Sequence, residues 1–84
     1  MTHILFFGRL RDVAQRAQLP CALPASVRTV ADVRAWLGEA DPAIGAALAS
    51  PGVRVAVNQR ICLSDDEPVL DAWEIAFMSP LSGG

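Results

Sequence analysis

The sequence predicts an α+β domain: a mixed sheet of four to five strands packed on one main helix, with short helical segments beside it. Three observations predict it. Short β-branched and aromatic runs stand near both ends of the chain, at residues 3–7 and 73–78. A capped segment with helical apolar spacing lies between them, at residues 29–40. Two further β-rich runs, 53–57 and 60–63, flank a two-residue turn, Asn58-Gln59. A chain of 84 residues makes one domain, with a core that is real but thin.

The elements follow in order. His3-Ile4-Leu5-Phe6-Phe7 is an apolar run closed by Gly8, the pattern of a strand that ends in a turn. From Gly8 to Gln15, Leu10 and Val13 recur three apart among Arg9, Arg11 and Asp12, which fits a short helical connection with solvated charges. Residues 19–23 contain Pro20, and a proline cannot donate to a ladder, so this run belongs at a sheet edge. Thr29-Val30-Ala31-Asp32 is a variant capping box in which the threonine hydroxyl satisfies an orphan N–H and Asp32 sits near the positive end of the helix dipole. Val30, Val33 and Leu37 form the buried stripe, with Ala40 extending it, while Arg34 and Glu39 take other faces. Gly38 weakens the last turn. Asp41-Pro42 then restarts a second short helical piece, 42–49, whose Ile44 and Leu48 cover the same core. Asn58 tolerates positive φ and makes a tight hairpin plausible between the two later strands.

Two strands, a helix, then two or three more strands, the last close to the C-terminus, is the order of a β-grasp domain. Alternation assigns Ile4, Phe6, Val55, Val57, Ile75 and Phe77 to the helix-covered side of the sheet. His3, Leu5, Phe7, Ile61, Leu63, Ala76 and Met78 then fall on the other side, which a monomer would normally make polar. Either loops cover that face or it docks a partner; docking is the preferred reading. The domain spans residues 1–78, and 79–84 form a flexible tail that ends in Gly83-Gly84.

Composition excludes several function classes. The formal net charge is −2, with acids and arginines interspersed, so neither nucleic acid nor an anionic membrane is an expected partner. The first residues carry no charged segment ahead of a long apolar run, and no stretch approaches the roughly 18 apolar residues of a membrane span, so a cytoplasmic location is expected. Cys21 and Cys62 read as small buried hydrophobes, and with His3 they make no convincing metal site. Asp65-Asp66-Glu67 are consecutive rather than spaced to converge, so they read as a solvated turn; no metal is expected. The chain has no lysine, which excludes side-chain Schiff-base chemistry.

The residues Ile4-Leu5-Phe6-Phe7-Gly8-Arg9-Leu10-Arg11-Asp12, Thr29-Val30, Val55-Ala56-Val57-Asn58-Gln59, and 70–78 leading into Pro80-Leu81-Ser82-Gly83-Gly84 resemble the molybdopterin synthase sulfur-carrier subunits, a ubiquitin-like family. The similarity spans nearly the whole chain. Where that family has paired prolines before its tail, this chain has Ser79-Pro80, which is expected to loosen the exit from the sheet. Its turn before the last strand reads Asp71-Ala72-Trp73-Glu74-Ile75 and lacks the usual glycine.

The resemblance implies a carrier without catalytic residues of its own. The Gly84 carboxylate would be adenylated with ATP by an E1-like adenylyltransferase and converted by a sulfur donor protein to a thiocarboxylate. Gly83, Ser82, Leu81 and Pro80 would thread into the large synthase subunit, in a heterotetramer of two small and two large chains, to build the pterin dithiolene. No cofactor would be held permanently, and the thiocarboxylate would be a covalent cargo. Phe7, Ile61 and Met78 match the family's docking patch. Residues 79–84 fully extended reach about 20 Å, enough for such threading. A carrier for thiamine or another pathway, a ubiquitin-like protein modifier and an inert binding domain are the alternatives.

Overall fold

The computed structural model describes residues 1–79 of the chain. The element order is β1 (Thr2–Phe7), α1 (Arg9–Ala14), β2 (Gln18–Cys21), α2 (Val30–Ala40), α3 (Pro42–Leu48), β3 (Arg54–Val57), β4 (Arg60–Ile61) and β5 (Glu74–Met78). The five strands form one sheet in the order β2-β1-β5-β3-β4. β1 and β5 pair in parallel at its centre, and every other pairing is antiparallel. The expected β-grasp architecture is therefore present, with Pro20 on an edge strand as its missing N–H requires.

The helices cover one side of the sheet. Ile4, Phe6, Val55, Val57, Ile75 and Phe77 all face it and are buried against Val30, Val33 and Leu37 of α2 and Leu48 of α3. Phe6 and Phe77 stack with ring centroids 6.4 Å apart. Ala40, expected to extend the stripe, is exposed: it stands at the last position of α2, past the sheet. Gly38 is more than a weak point. A Cβ on Gly45 of α3 would lie 2.8 Å from the Gly38 Cα, so two helical glycines let the backbones of α2 and α3 approach closely.

The start of α2 shows why a helix begins there. The first four N–H groups of a helix have no partner within it. Here Thr29 N–H donates to the Asp32 carboxylate at 3.2 Å and Asp32 N–H donates to Thr29 Oγ1 at 3.3 Å, closing the capping box. Val30 N–H donates to Glu67 O and Ala31 N–H to Asp65 O, each at 3.0 Å. The acidic loop thus keeps its side chains exposed while its carbonyls finish the cap. Arg34, which lies off the buried stripe as expected, is half-buried. Its Nε pairs with Asp65 at 3.1 Å, it donates to the Leu48 carbonyl, and its guanidinium lies 5.7 Å from the Phe77 ring centre.

The hairpin turn is also as the sequence predicts. Val57 pairs with Arg60, leaving Asn58 and Gln59 as a two-residue loop with φ of 50° and 68°. Both angles are positive, as a type I′ turn demands. Asn58 does a second job: its Oδ1 accepts from Trp73 N–H at 2.9 Å and Glu74 N–H at 3.2 Å, and its own N–H donates to Glu74 O at 2.8 Å. The hairpin is thereby tied to the start of β5.

Candidate docking face and chain exit

Strand register builds the outer face of the sheet in rows. One row runs Gln18, Leu5, Ala76, Ala56, Ile61 across all five strands. The next, toward the end of β5, is Phe7, Met78, Arg54. The row on the other side is Pro20, His3, Glu74. Ala76 and Ala56 are only 5% and 7% exposed although the helices lie on the opposite side. Their methyl groups are short, so the longer side chains of Leu5, Phe7, Ile61 and Met78 around them make a raised apolar rim over a low floor. Phe7 and Ile61 remain 49% and 52% exposed, which leaves the face open.

The three predicted docking residues, Phe7, Ile61 and Met78, therefore share this face, Phe7 beside Met78 and Ile61 two strands away. Leu63 does not join them. Strand β4 stops at Ile61, Cys62 N–H turns in to the Val55 carbonyl, and Leu63 projects 96% exposed beyond the sheet. Two charges that the sequence reading left off the face, Arg54 and Glu74, belong to it by register.

The chain leaves the sheet at Ser79, directly after Met78 and beside Phe7. The expected loosening is not observed at Ser79 itself. Its hydroxyl accepts from Arg9 N–H at 3.0 Å and reaches the Phe7 carbonyl at 3.4 Å. It thus supplies the cap that Gly8, lacking a side chain, cannot give α1. Gly8 has φ of 64°, so this position needs glycine for its backbone, and a Cβ there would displace the Ser79 hydroxyl from its capping place. Arg9, Leu10, Val13, Ala47, Val53 and Ser79 are among the residues lining a cavity of about 320 Å³ next to this exit. The tail residues Pro80, Leu81, Ser82, Gly83 and Gly84 lie outside the described residues.

The remaining candidate groups do not converge. Cys21 and Cys62 are free and half-buried, on or beside the opposite edge strands β2 and β4, and burial pushes both thiols up. Among the described residues no helix is long and apolar enough to cross a membrane. The Ser79 cap and the Gly38–Gly45 crossing were missed by sequence reasoning. Both depend on partners 70 and seven residues away, and a local pattern carries no signal for either.

Known proteins share this fold. SAMP1 from Haloferax volcanii superposes with a TM-score of 0.80 at 22% identity, covering 99% of this chain and 98% of that one. A second crystal structure, of H. volcanii small archaeal modifier protein 1, gives 0.73 at 21% identity, covering 96% of this chain and 100% of its own. At these identities the likeness is one of fold. No curated protein sequence matches. The sequence profile of the ThiS family matches residues 4–84, nearly the whole length, and with the ubiquitin-like β-grasp sheet described above the conclusion is direct: the chain belongs to the ThiS family.

Proposed function

We propose that this protein is a sulfur carrier whose Gly84 carboxylate is the reacting group, and that it serves as the small subunit of a molybdopterin synthase. The observation that carries the reading is the match to the ThiS family through the diglycine at 83–84. The geometry is consistent with it: the last strand ends beside an open apolar face, so a partner docked on Phe7, Ile61 and Met78 would stand where the chain leaves the sheet.

In this reading an E1-like enzyme positions ATP, the Gly84 carboxylate attacks the α-phosphate, and pyrophosphate leaves. The terminal sulfur of a donor persulfide then attacks the acyl carbon and AMP departs. A second thiol cleaves the S–S bond, becoming oxidised to a disulfide, and frees the thiocarboxylate. That sulfur is delivered inside the large synthase subunit, and the carrier dissociates to be recharged. The domain supplies no acid or base; it supplies a docking face and a reach of about 20 Å.

A second reading, a ubiquitin-like modifier joined to protein lysines, is favoured by the likeness to the archaeal modifier structures. Both readings share the adenylate and diverge afterwards. Intact mass of protein isolated from cells that contain its activating machinery separates them. A carrier shows a fraction heavier by about 16 Da, oxygen replaced by sulfur, and a modifier instead shows adducts of protein size. Carboxylate alone under those conditions removes both.

A further inference from the structure

The outer face carries a charge at each end and none between. At the exit end, the row Phe7, Met78, Arg54 presents an exposed arginine. At the other end, the row Pro20, His3, Glu74 presents a half-buried carboxylate, with exposed Asp71 three residues before it in the chain. The middle row, Gln18 to Ile61, is uncharged. From Glu74 to Met78 the strand rises about 13 Å. That exceeds the roughly 8 Å screening length at physiological salt, so the two charges do not neutralise one another.

Neither charge is occupied by the described residues around it. Among the described residues the one ion pair is Arg34 with Asp65, and neither Arg54 nor Glu74 has an oppositely charged group within ion-pair distance. The face is therefore a polar patch with a direction: cation, apolar centre, anion.

The geometry points to a protein partner with an apolar docking surface that bears a carboxylate where it meets Arg54, beside the point at which the chain leaves the sheet, and a cation where it meets Glu74. An apolar patch alone would accept a partner in several rotations. The charges select one, because the reversed arrangement sets like charges against each other. Arg54 and Glu74 thus act as orienting groups, with Phe7, Ile61 and Met78 supplying contact area. The inference deepens the sulfur-carrier reading and relies on it for the identity of the partner to be used.

The test uses the full chain and the E1-like adenylyltransferase of the same organism, with two readouts: direct binding, and carrier-dependent exchange of pyrophosphate into ATP. Arg54→Glu and Glu74→Lys are each expected to weaken binding about tenfold at low salt, with Arg54→Gln between wild type and Arg54→Glu. The differences should close at 1 M salt, where the screening length is about 3 Å. A merely structural role would move the melting temperature and would not close with salt. Unchanged or tighter binding by Arg54→Glu, or a loss that persists at high salt, overturns the inference. Binding without exchange by the wild type would sink the carrier reading while leaving the charge effect measurable. No binding by the wild type would sink both.

Discussion

Gln59 sits at φ 68° in the hairpin turn, a region that costs a residue with a Cβ about 1–2 kcal/mol. Glycine there would relieve that strain and lose part of the gain to its larger unfolded-state entropy. Gln59→Gly is expected to stabilise the domain by about 0.5–1 kcal/mol, read as a rise in melting temperature of about 4 °C. A fall would mean that the glutamine side chain makes a contact worth more than the strain. Its neighbour Asn58 has φ of 50°, yet replacing it would remove the acceptor for Trp73 and Glu74 N–H. Adjacent residues with the same backbone state thus differ in what they can tolerate. The sequence marked Asn58 as a turn former; nothing local marked it as the tie to β5, because its partners lie 15 and 16 residues on.

Helix α2 meets its surroundings through two contrasting devices. Part of its N-terminus is local: the capping box is written within four residues and is legible in the sequence, whereas the Val30 and Ala31 N–H groups are satisfied by carbonyls of the distant 65–67 loop. The Asp32 carboxyl is held below the ordinary aspartate range, first by the Arg28 N–H and then by the Thr29 N–H. A native value below the unfolded one adds stability that is present above the unfolded value and is lost as pH falls through the native one. Urea midpoints should therefore decline on the acid side of the ordinary aspartate range, and Asp32→Asn should make that decline shallower. Equal slopes would show that the group does not titrate with folding. The other end of α2 depends on α3. An exposed helical Gly→Ala change normally gains about 1 kcal/mol. Gly45→Ala would instead press a methyl to 2.8 Å from the Gly38 backbone, and overpacking of that kind costs about 1–3 kcal/mol. The expected outcome is net destabilisation of about 1 kcal/mol or more in urea denaturation, and a stabilised variant would show that the two helices can separate freely.

For the molecule as a whole, the sheet separates two tasks between its sides. The helix-covered side holds the fully buried Ile4, Phe6, Ile75 and Phe77, where truncation costs several kcal/mol. The outer side keeps Phe7 and Ile61 half-exposed, so Phe7→Asp and Ile61→Asp should each cost only about 1–2 kcal/mol and leave the domain folded. Under the proposed function, each should weaken binding to the activating enzyme at least tenfold, since apolar anchors carry most interface energy. Stable variants that bind like wild type would remove the outer face as the docking site.

By itself the sequence determined the class of fold, the strand alternation that divides buried from open side chains, the capped helix and the tight hairpin. Each is decided by residues within about ten positions of one another, where propensity, capping and period act directly. The tertiary structure alone decided which strands become neighbours. From that came the parallel β1–β5 pair that sets Phe7 beside Met78, the Ser79 hydroxyl that caps α1, the close glycine crossing of α2 on α3, and the place of Arg54 and Glu74 at opposite ends of one face. Most of those arrangements join residues tens of positions apart, and the glycine crossing, though only seven positions long, depends on how two separate helices pack; their energies depend on distance in space, which no local pattern along the chain encodes.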